Sequence, residues 1–179
     1  EPLVKISALE EYGLRCMLQL ALHDPGQPMT VNQIAANEGL TPEYASKLLN
    51  LLRQQGLVDS VRGRKGGFVL TRTADDVNLG EIVLALSNQL FDAEYCERHA
   101  GAGEVCVHET ACALRPIWST LSEHVSQLLE SITLADLLRS EREMCRELQP
   151  GSEAILDLTG SMKFPAAPTL HKVRLPESN

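Results

Sequence analysis

Residues 29–72 read MTVNQIAANEGLTPEYASKLLNLLRQQGLVDSVRGRKGGFVLTR, and this stretch decides the fold. Val31, Ile34 and Ala35 recur at helical spacing, and Gly39 follows where a helix needs a residue of positive φ to stop. Thr41 is an N-cap for a second helix, with Pro42 in the first helical position, where its missing N–H has no partner to lose. Tyr44, Leu48, Leu51 and Leu52 give that helix an apolar face, and Gln55-Gly56 ends it. The period then changes from 3.6 to 2. Leu57 to Val61 and Phe68 to Thr71 alternate as strands around a turn at residues 62–67. Two helices joined by a short glycine turn and followed by a hairpin predict a winged helix-turn-helix. The fold class is therefore mainly α with a small β-hairpin wing.

The wing turn, Arg62-Gly63-Arg64-Lys65-Gly66-Gly67, places three cations and three glycines in six residues. Such a loop suits close backbone approach to phosphate. The whole chain carries a formal charge of −8. Between Thr41 and Arg72, however, six cations oppose only Glu43 and Asp59. A basic island in an acidic protein is a localised electrostatic footprint. Candidate DNA contacts are Thr41, Tyr44, Ser46 and Lys47 near the start of the second helix, with Arg62, Arg64, Lys65 and Gly66 in the wing. The partner this predicts is double-stranded operator DNA.

Upstream, Leu9, Tyr12, Leu14, Met17, Leu18, Ala21 and Leu22 form a stripe on a first helix that ends at Asp24-Pro25-Gly26. Cys16 falls among these positions and reads as a small buried hydrophobe. Glu10 and Glu11 sit in its first turn, where the helix dipole favours carboxylates. Downstream, Asn78 to Glu81 resembles a capping box opening a short apolar helix through Leu86. Farther on, Leu114, Ile117, Leu121, Val125, Leu128 and Ile132 repeat at steps of three and four, which predicts a seam for a second copy of the chain. Thr133 to Asp136 reads as another cap. The expected organisation is a winged-helix domain over residues 1–77, a cysteine loop with dimerisation helices over 78–140, and a flexible tail over 141–179. No apolar run approaches the roughly 20 residues needed to span a bilayer, so the expectation is a cytoplasmic protein. No catalytic Ser/His/Asp arrangement, phosphate-binding loop or dinucleotide fingerprint is present.

The loop FDAEYCERHAGAGEVCVHETACA, residues 91–113, has no apolar periodicity and holds three of the five cysteines. Cys96, Cys106 and Cys112 are spaced C-x9-C-x5-C, unlike the closely spaced pairs of zinc fingers. Three thiolates on one loop suit an iron–sulfur cluster, a zinc site or a thiol switch, and spacing alone leaves these open.

The winged helix with Leu57-Val58, Ser60-Val61-Arg62-Gly63 and Gly66-Gly67-Phe68, the three-cysteine loop, and the long helix ending in Thr133-Leu-Ala-Asp136-Leu occur here in one order. In this the chain resembles the bacterial transcription regulators that include IscR, NsrR, RsrR and RirA, over roughly residues 3 to 140. The resemblance implies a homodimeric regulator, most simply a repressor, controlled by a cluster (2Fe-2S or 4Fe-4S) on Cys96, Cys106 and Cys112 plus one other ligand. Two departures stand out. The first cysteine interval is longer than usual, and Arg115 replaces the histidine that follows the last cysteine in IscR. The NsrR and RsrR pattern, a carboxylate from the first helix of the other subunit, lands on Glu11. His99 and His108 are rival ligands. The alternative is a cluster-free regulator switched by thiols or zinc.

Overall fold

Ser7 opens the first helix, α1 (Ala8–Leu22), with a reciprocal capping box. Its hydroxyl accepts the Glu10 N–H, and the Glu10 carboxylate accepts the Ser7 N–H at 2.6 Å. Thr30 and Gln33 repeat this device at α2 (Val31–Glu38), which stops at Gly39 with φ of 66°. The Thr41 hydroxyl then caps α3 (Pro42–Gln54) by accepting the Tyr44 N–H. Strands β1 (Val58–Val61) and β2 (Gly67–Leu70) pair antiparallel, Val58 opposite Leu70. This computed structural model describes residues 6–63, 66–87, 95–103, 105–108 and 111–148, without the side chains of residues 145 and 147. The winged helix-turn-helix expected from residues 29–72 is present: the chain is mainly helical with a two-stranded hairpin.

A third strand position extends the wing. Met29 donates its N–H to the Phe68 carbonyl at 3.0 Å and accepts the Phe68 N–H at 2.8 Å, so the segment before α2 is bridged to β2. The core beneath contains Cys16, Met17, Ile34, Leu48, Leu49 and Leu52. On α3 the buried set is Ala45, Leu48, Leu49 and Leu52, spaced i, i+3, i+4 and i+7. The expected face was offset: Tyr44 and Leu51 lie at its margin, partly buried. On α1 the stripe runs through Leu20, while Leu22, expected inside, is 67 % exposed.

Helix α4 (Leu79–Leu86) is capped by the Asn78 side chain, which accepts the Glu81 N–H. The return half of the expected box is absent, because the Glu81 carboxylate instead binds Arg72 at 2.7 Å. α4 crosses α1 at Gly13, where a Cβ would stand 2.3 Å from a methyl of Leu86. A four-residue helix, α5 (Tyr95–Arg98), precedes the long α6 (Leu114–Glu130). α6 packs on α4, and the chain then comes back to the head. Leu134 is fully buried in the core and donates its N–H to the Val77 carbonyl, while Leu79 donates to the Ile132 carbonyl. Thr133 and Asp136 form the expected reciprocal cap, here on a single 3-10 turn, Asp136–Leu138. Residues up to Ser140 form one compact unit. The second begins with α7 (Glu141–Leu148), two turns of helix in the first part of the stretch expected to be a flexible tail; residues 149–179 of that stretch lie outside the described residues. Among the described residues no helix is long and apolar enough to cross a membrane.

Of the expected seam, Leu114, Ile117 and Leu128 are each more than half exposed on α6, at 58, 57 and 52 %, and Leu121 and Val125 are half-buried. Ile132 belongs to the returning segment beyond the helix, which ends at Glu130 with Ser131 as its C-cap. At 100° per residue, the exposed apolar stripe is turned by roughly a third of a circle from Ser122, the buried position on α6.

Candidate nucleic-acid interface and cysteine loop

Exposed residues open both α3 (Thr41, Pro42 and Glu43) and the wing turn (Arg62 and Gly63). Thr41 is exposed, with its hydroxyl engaged as a cap. Tyr44 is half-buried and meets the edge of Tyr12 on α1, centroids 6.1 Å apart at 83°. Ser46 is half-buried, with the Asn50 amide at 3.4 Å, whereas Lys47 is exposed. Arg62 is also exposed, and Arg64 and Lys65 lie outside the described residues. Arg72, at the base of the wing, is tied to the Glu81 carboxylate and to the Asp76 carbonyl. It belongs to the scaffold.

The wing glycines have structural duties that the sequence did not announce. Gly63 has φ of 118°, a region open in practice to glycine. A Cβ on Gly66 would stand 2.4 Å from the Val61 carbonyl oxygen, and one on Gly67 would stand 2.4 Å from that of Met29. The hairpin cannot close on itself and on Met29 with side chains at these positions.

The three loop cysteines occupy different settings. Cys96 is on α5, and Cys106 and Cys112 are in irregular segments, all three as half-buried free thiols. Among the described residues no three metal-ligating side chains converge. As a donor set three half-buried thiols still fit a thiophilic metal or cluster, Cys96 on a single helical turn and the other two on irregular backbone. His99 stacks on Tyr95, centroids 4.2 Å apart, with Nδ1 2.8 Å from the Tyr95 carbonyl oxygen. His108 is exposed. Cys16 contrasts with these thiols: it is fully buried, and burial pushes its pKa up to about 12, which leaves it an inert core residue as expected.

On α1 the two neighbouring carboxylates separate cleanly. Glu10 accepts the Ser7 N–H and the Ser87 hydroxyl, the latter at 2.7 Å. Burial pushes its pKa up, but these hydrogen bonds outweigh burial and hold it below the ordinary glutamate value. Glu11 is exposed; its N–H donates to the Ser7 carbonyl, and its side chain has no hydrogen bond among the described residues. One turn on, Arg15 is shared, and its pKa is raised first by the hydrogen bond to Glu38 and then by the charge of Glu38. Its Nε donates to Glu38 at the end of α2, whose side chain is 8 % exposed. Gln19 donates to the other Glu38 oxygen and accepts from Asn37. This polar network was not anticipated. The one signal for it in the sequence is the i, i+4 pairing of Arg15 with Gln19.

Residues 6–140 match the Rrf2 family, described as iron-dependent transcriptional regulators. The chain is 32 % identical over 136 residues to the protein Rrf2 of Nitratidesulfovibrio vulgaris, covering 76 % of this chain and 88 % of that one. It is 32 % identical over 138 residues to the regulator IscR of Erwinia tasmaniensis, covering 77 % and 81 %. Two solved structures are similar at 31 % identity. IscR of T. potens has a TM-score of 0.59 over 82 % of this chain and 91 % of that one. CymR, the global cysteine regulator of B. subtilis, has a TM-score of 0.60 over 75 % and 96 %. With this winged head, and with relatives that are regulators of transcription and not enzymes, the chain belongs to the Rrf2 family of transcription regulators.

Proposed function

We propose that this chain is a cytoplasmic homodimeric repressor whose operator binding is controlled by an iron–sulfur cluster. Cys96, Cys106 and Cys112 hold the cluster, and Glu11 of a second copy completes it. The observation that carries the reading is the contrast among the thiols. Cys16 is sealed in the core, while the other three described cysteines are half-buried on one loop. Glu11 supports the fourth position because it is exposed, whereas Glu10 is committed to Ser7 and Ser87. When bound, the cluster supplies an iron corner open to nitric oxide, oxygen or loss of iron, since a carboxylate is a harder and more labile donor than thiolate. The protein's part is to hold that corner on α1, which also carries Arg15 and Tyr12 beside the reading helices.

The exposed stripe of Leu114, Ile117 and Leu128, turned away from the contact with α4, supports α6 as the dimer seam. A dimer carries two heads to major-groove faces about 34 Å apart. In each head Lys47, Ser46 and Tyr44 face bases, and Thr41, Arg62, Arg64, Lys65 and Gly66 meet the backbone. The test is anaerobic purification with iron and sulfide analysis, absorption spectroscopy and operator binding before and after cluster loading. Brown protein whose affinity changes on loading is expected.

A thiol-switched regulator is the second reading. It is favoured by the likeness to CymR and by the lack of a three-ligand convergence among the described residues. Colourless protein whose operator affinity responds to thiol oxidation or to zinc establishes that reading and overturns the first.

A further inference from the structure

On the outer side of α3 the Ser46 hydroxyl receives a hydrogen bond that decides how it can give one. The Asn50 side-chain N–H, four residues on and so one turn along the helix, donates to the Ser46 Oγ at 3.4 Å. At 100° per residue both positions lie more than a quarter-turn from Leu48 and Leu52 of the buried row. The serines that close α4 and α6 spend their hydrogen within the chain, Ser87 on the Val83 carbonyl and Glu10, Ser131 on the Leu128 carbonyl. Ser46 donates to no side chain or carbonyl among the described residues. A hydroxyl carries one hydrogen and two lone pairs. The Asn50 amide takes one lone pair and keeps the hydrogen off that side, which leaves it for an acceptor beyond the protein.

We propose that Asn50 is a positioning residue that sets the polarity of base reading at Ser46. The hydroxyl is presented as a donor, and its partner is a major-groove acceptor: N7 or O6 of guanine, N7 of adenine or O4 of thymine. Cytosine, which offers only its N4 amino group there, is rejected. Donation to a base strengthens the bond from Asn50 in turn, since hydrogen bonds in a chain polarise one another. Bases are met by the N-terminal residues of a reading helix, and Asn50 stands one turn behind, so it acts through Ser46. This rests on the reading of Ser46 as a base-facing residue.

The test uses whole 179-residue chains purified anaerobically: wild type, Ser46→Ala, Asn50→Ala, the double variant and Asn50→Asp. Wild type first selects its preferred duplex from a library of randomised sequence. Every chain is then titrated with that duplex carrying each of the four bases at each position, and with random DNA, and its thermal midpoint is recorded. Wild type is expected to disfavour cytosine at one position of each half-site by about 3- to 10-fold, the worth of one net hydrogen bond. Ser46→Ala, Asn50→Ala and the double variant should each flatten that position to within about twofold, the double no flatter than either single one. Asn50→Asp accepts where asparagine donated, so Ser46 turns its hydrogen inward and shows lone pairs to the base. This variant should bind all DNA more weakly through its added charge, yet favour cytosine at the same position. A merely structural role for Asn50 does not reverse a base preference. Wild-type preference in both Asn50 variants, or a loss at a different base pair from the one Ser46→Ala affects, overturns the proposal and leaves Ser46 as a reader. A wild type without sequence preference, or a Ser46→Ala chain that keeps all of it, overturns the base-facing reading of Ser46 and this inference with it.

Discussion

Replacing Gly67 with alanine places a methyl group 2.4 Å from the Met29 carbonyl oxygen and 2.6 Å from its carbonyl carbon. Both are backbone atoms, so no rotamer change relieves the contact. β2 must move away from the segment before α2, and the two bonds between Met29 and Phe68, at 3.0 and 2.8 Å, stretch or break. Two backbone hydrogen bonds at about 1 kcal/mol each, with about 1 kcal/mol of residual crowding, give a loss of about 3 kcal/mol. For a unit of this size that lowers the melting temperature by roughly 6–12 °C. The assay is thermal unfolding followed by circular dichroism on DNA-free protein. The absence of DNA matters, because a glycine required for phosphate approach would show its effect in binding and not in stability. A melting temperature within about 2 °C of wild type, combined with weakened DNA binding, would refute the structural role assigned to this glycine.

Other outcomes follow from the same geometry. Ile117→Asp or Leu121→Asp should convert a dimer to monomer in analytical ultracentrifugation, since a carboxylate buried in an apolar seam costs several kcal/mol; a dimeric variant would place the seam elsewhere. Arg64→Ala or Lys65→Ala should weaken binding to specific and random DNA alike and reduce the salt slope by about 0.9 per lost phosphate contact. An unchanged slope would remove these residues from the interface. Cys96→Ala, Cys106→Ala and Cys112→Ala should each yield colourless protein, whereas Glu11→Ala should stay coloured with a shifted spectrum; a shift in His99→Ala or His108→Ala instead would reassign the ligand. Glu10 has a folded pKa below its ordinary value of 4.5, so its stabilising contribution is present above that pH and lost as pH falls through the folded value. Glu10→Gln should therefore flatten the fall in melting temperature below about pH 4.5, and an unaltered pH profile would contradict the role given to Ser7 and Ser87.

The head was legible because its boundaries are written in local chemistry. Gly39 takes the positive φ that its place after Glu38 called for, Thr41 caps α3, and the change of period at Leu57 marks the hairpin. What escaped rests on single residues meeting partners far away in the chain. Met29 adds one bridge to the wing, Gly13 lets α4 approach α1, and Leu134 carries the chain back into the core. None of these has a periodic signature. Gly66 and Gly67 carry a second duty that was not legible for a related reason: the residue type shows that something approaches closely, and not that the protein's own carbonyls do so here. α7 escaped because the reading sought apolar faces, while this polar helix has Glu141 and Glu143 in its first turn and Arg146 in its last, an arrangement suited to the helix dipole. The cysteine loop showed its three thiols but not their arrangement, since half-buried thiols on one loop need no contacts with one another.

The return of the chain at Leu134 bears on how this molecule can vary. Residues 74–79 and 132–135 are clasped by the bonds of Leu79 to Ile132, Leu134 to Val77 and Ala135 to Ala74. Between them α4 packs on α1 and α6 packs on α4, so both ends of the segment that joins these two helices are fixed, as a pendant's are by a closed clasp. For a pendant of this kind, doubling the length adds only about 0.6 kcal/mol of closure entropy. The nine residues between Cys96 and Cys106 can therefore lengthen or shorten with little effect on the head, and the spacing of the thiols is left free to follow the chemistry they serve.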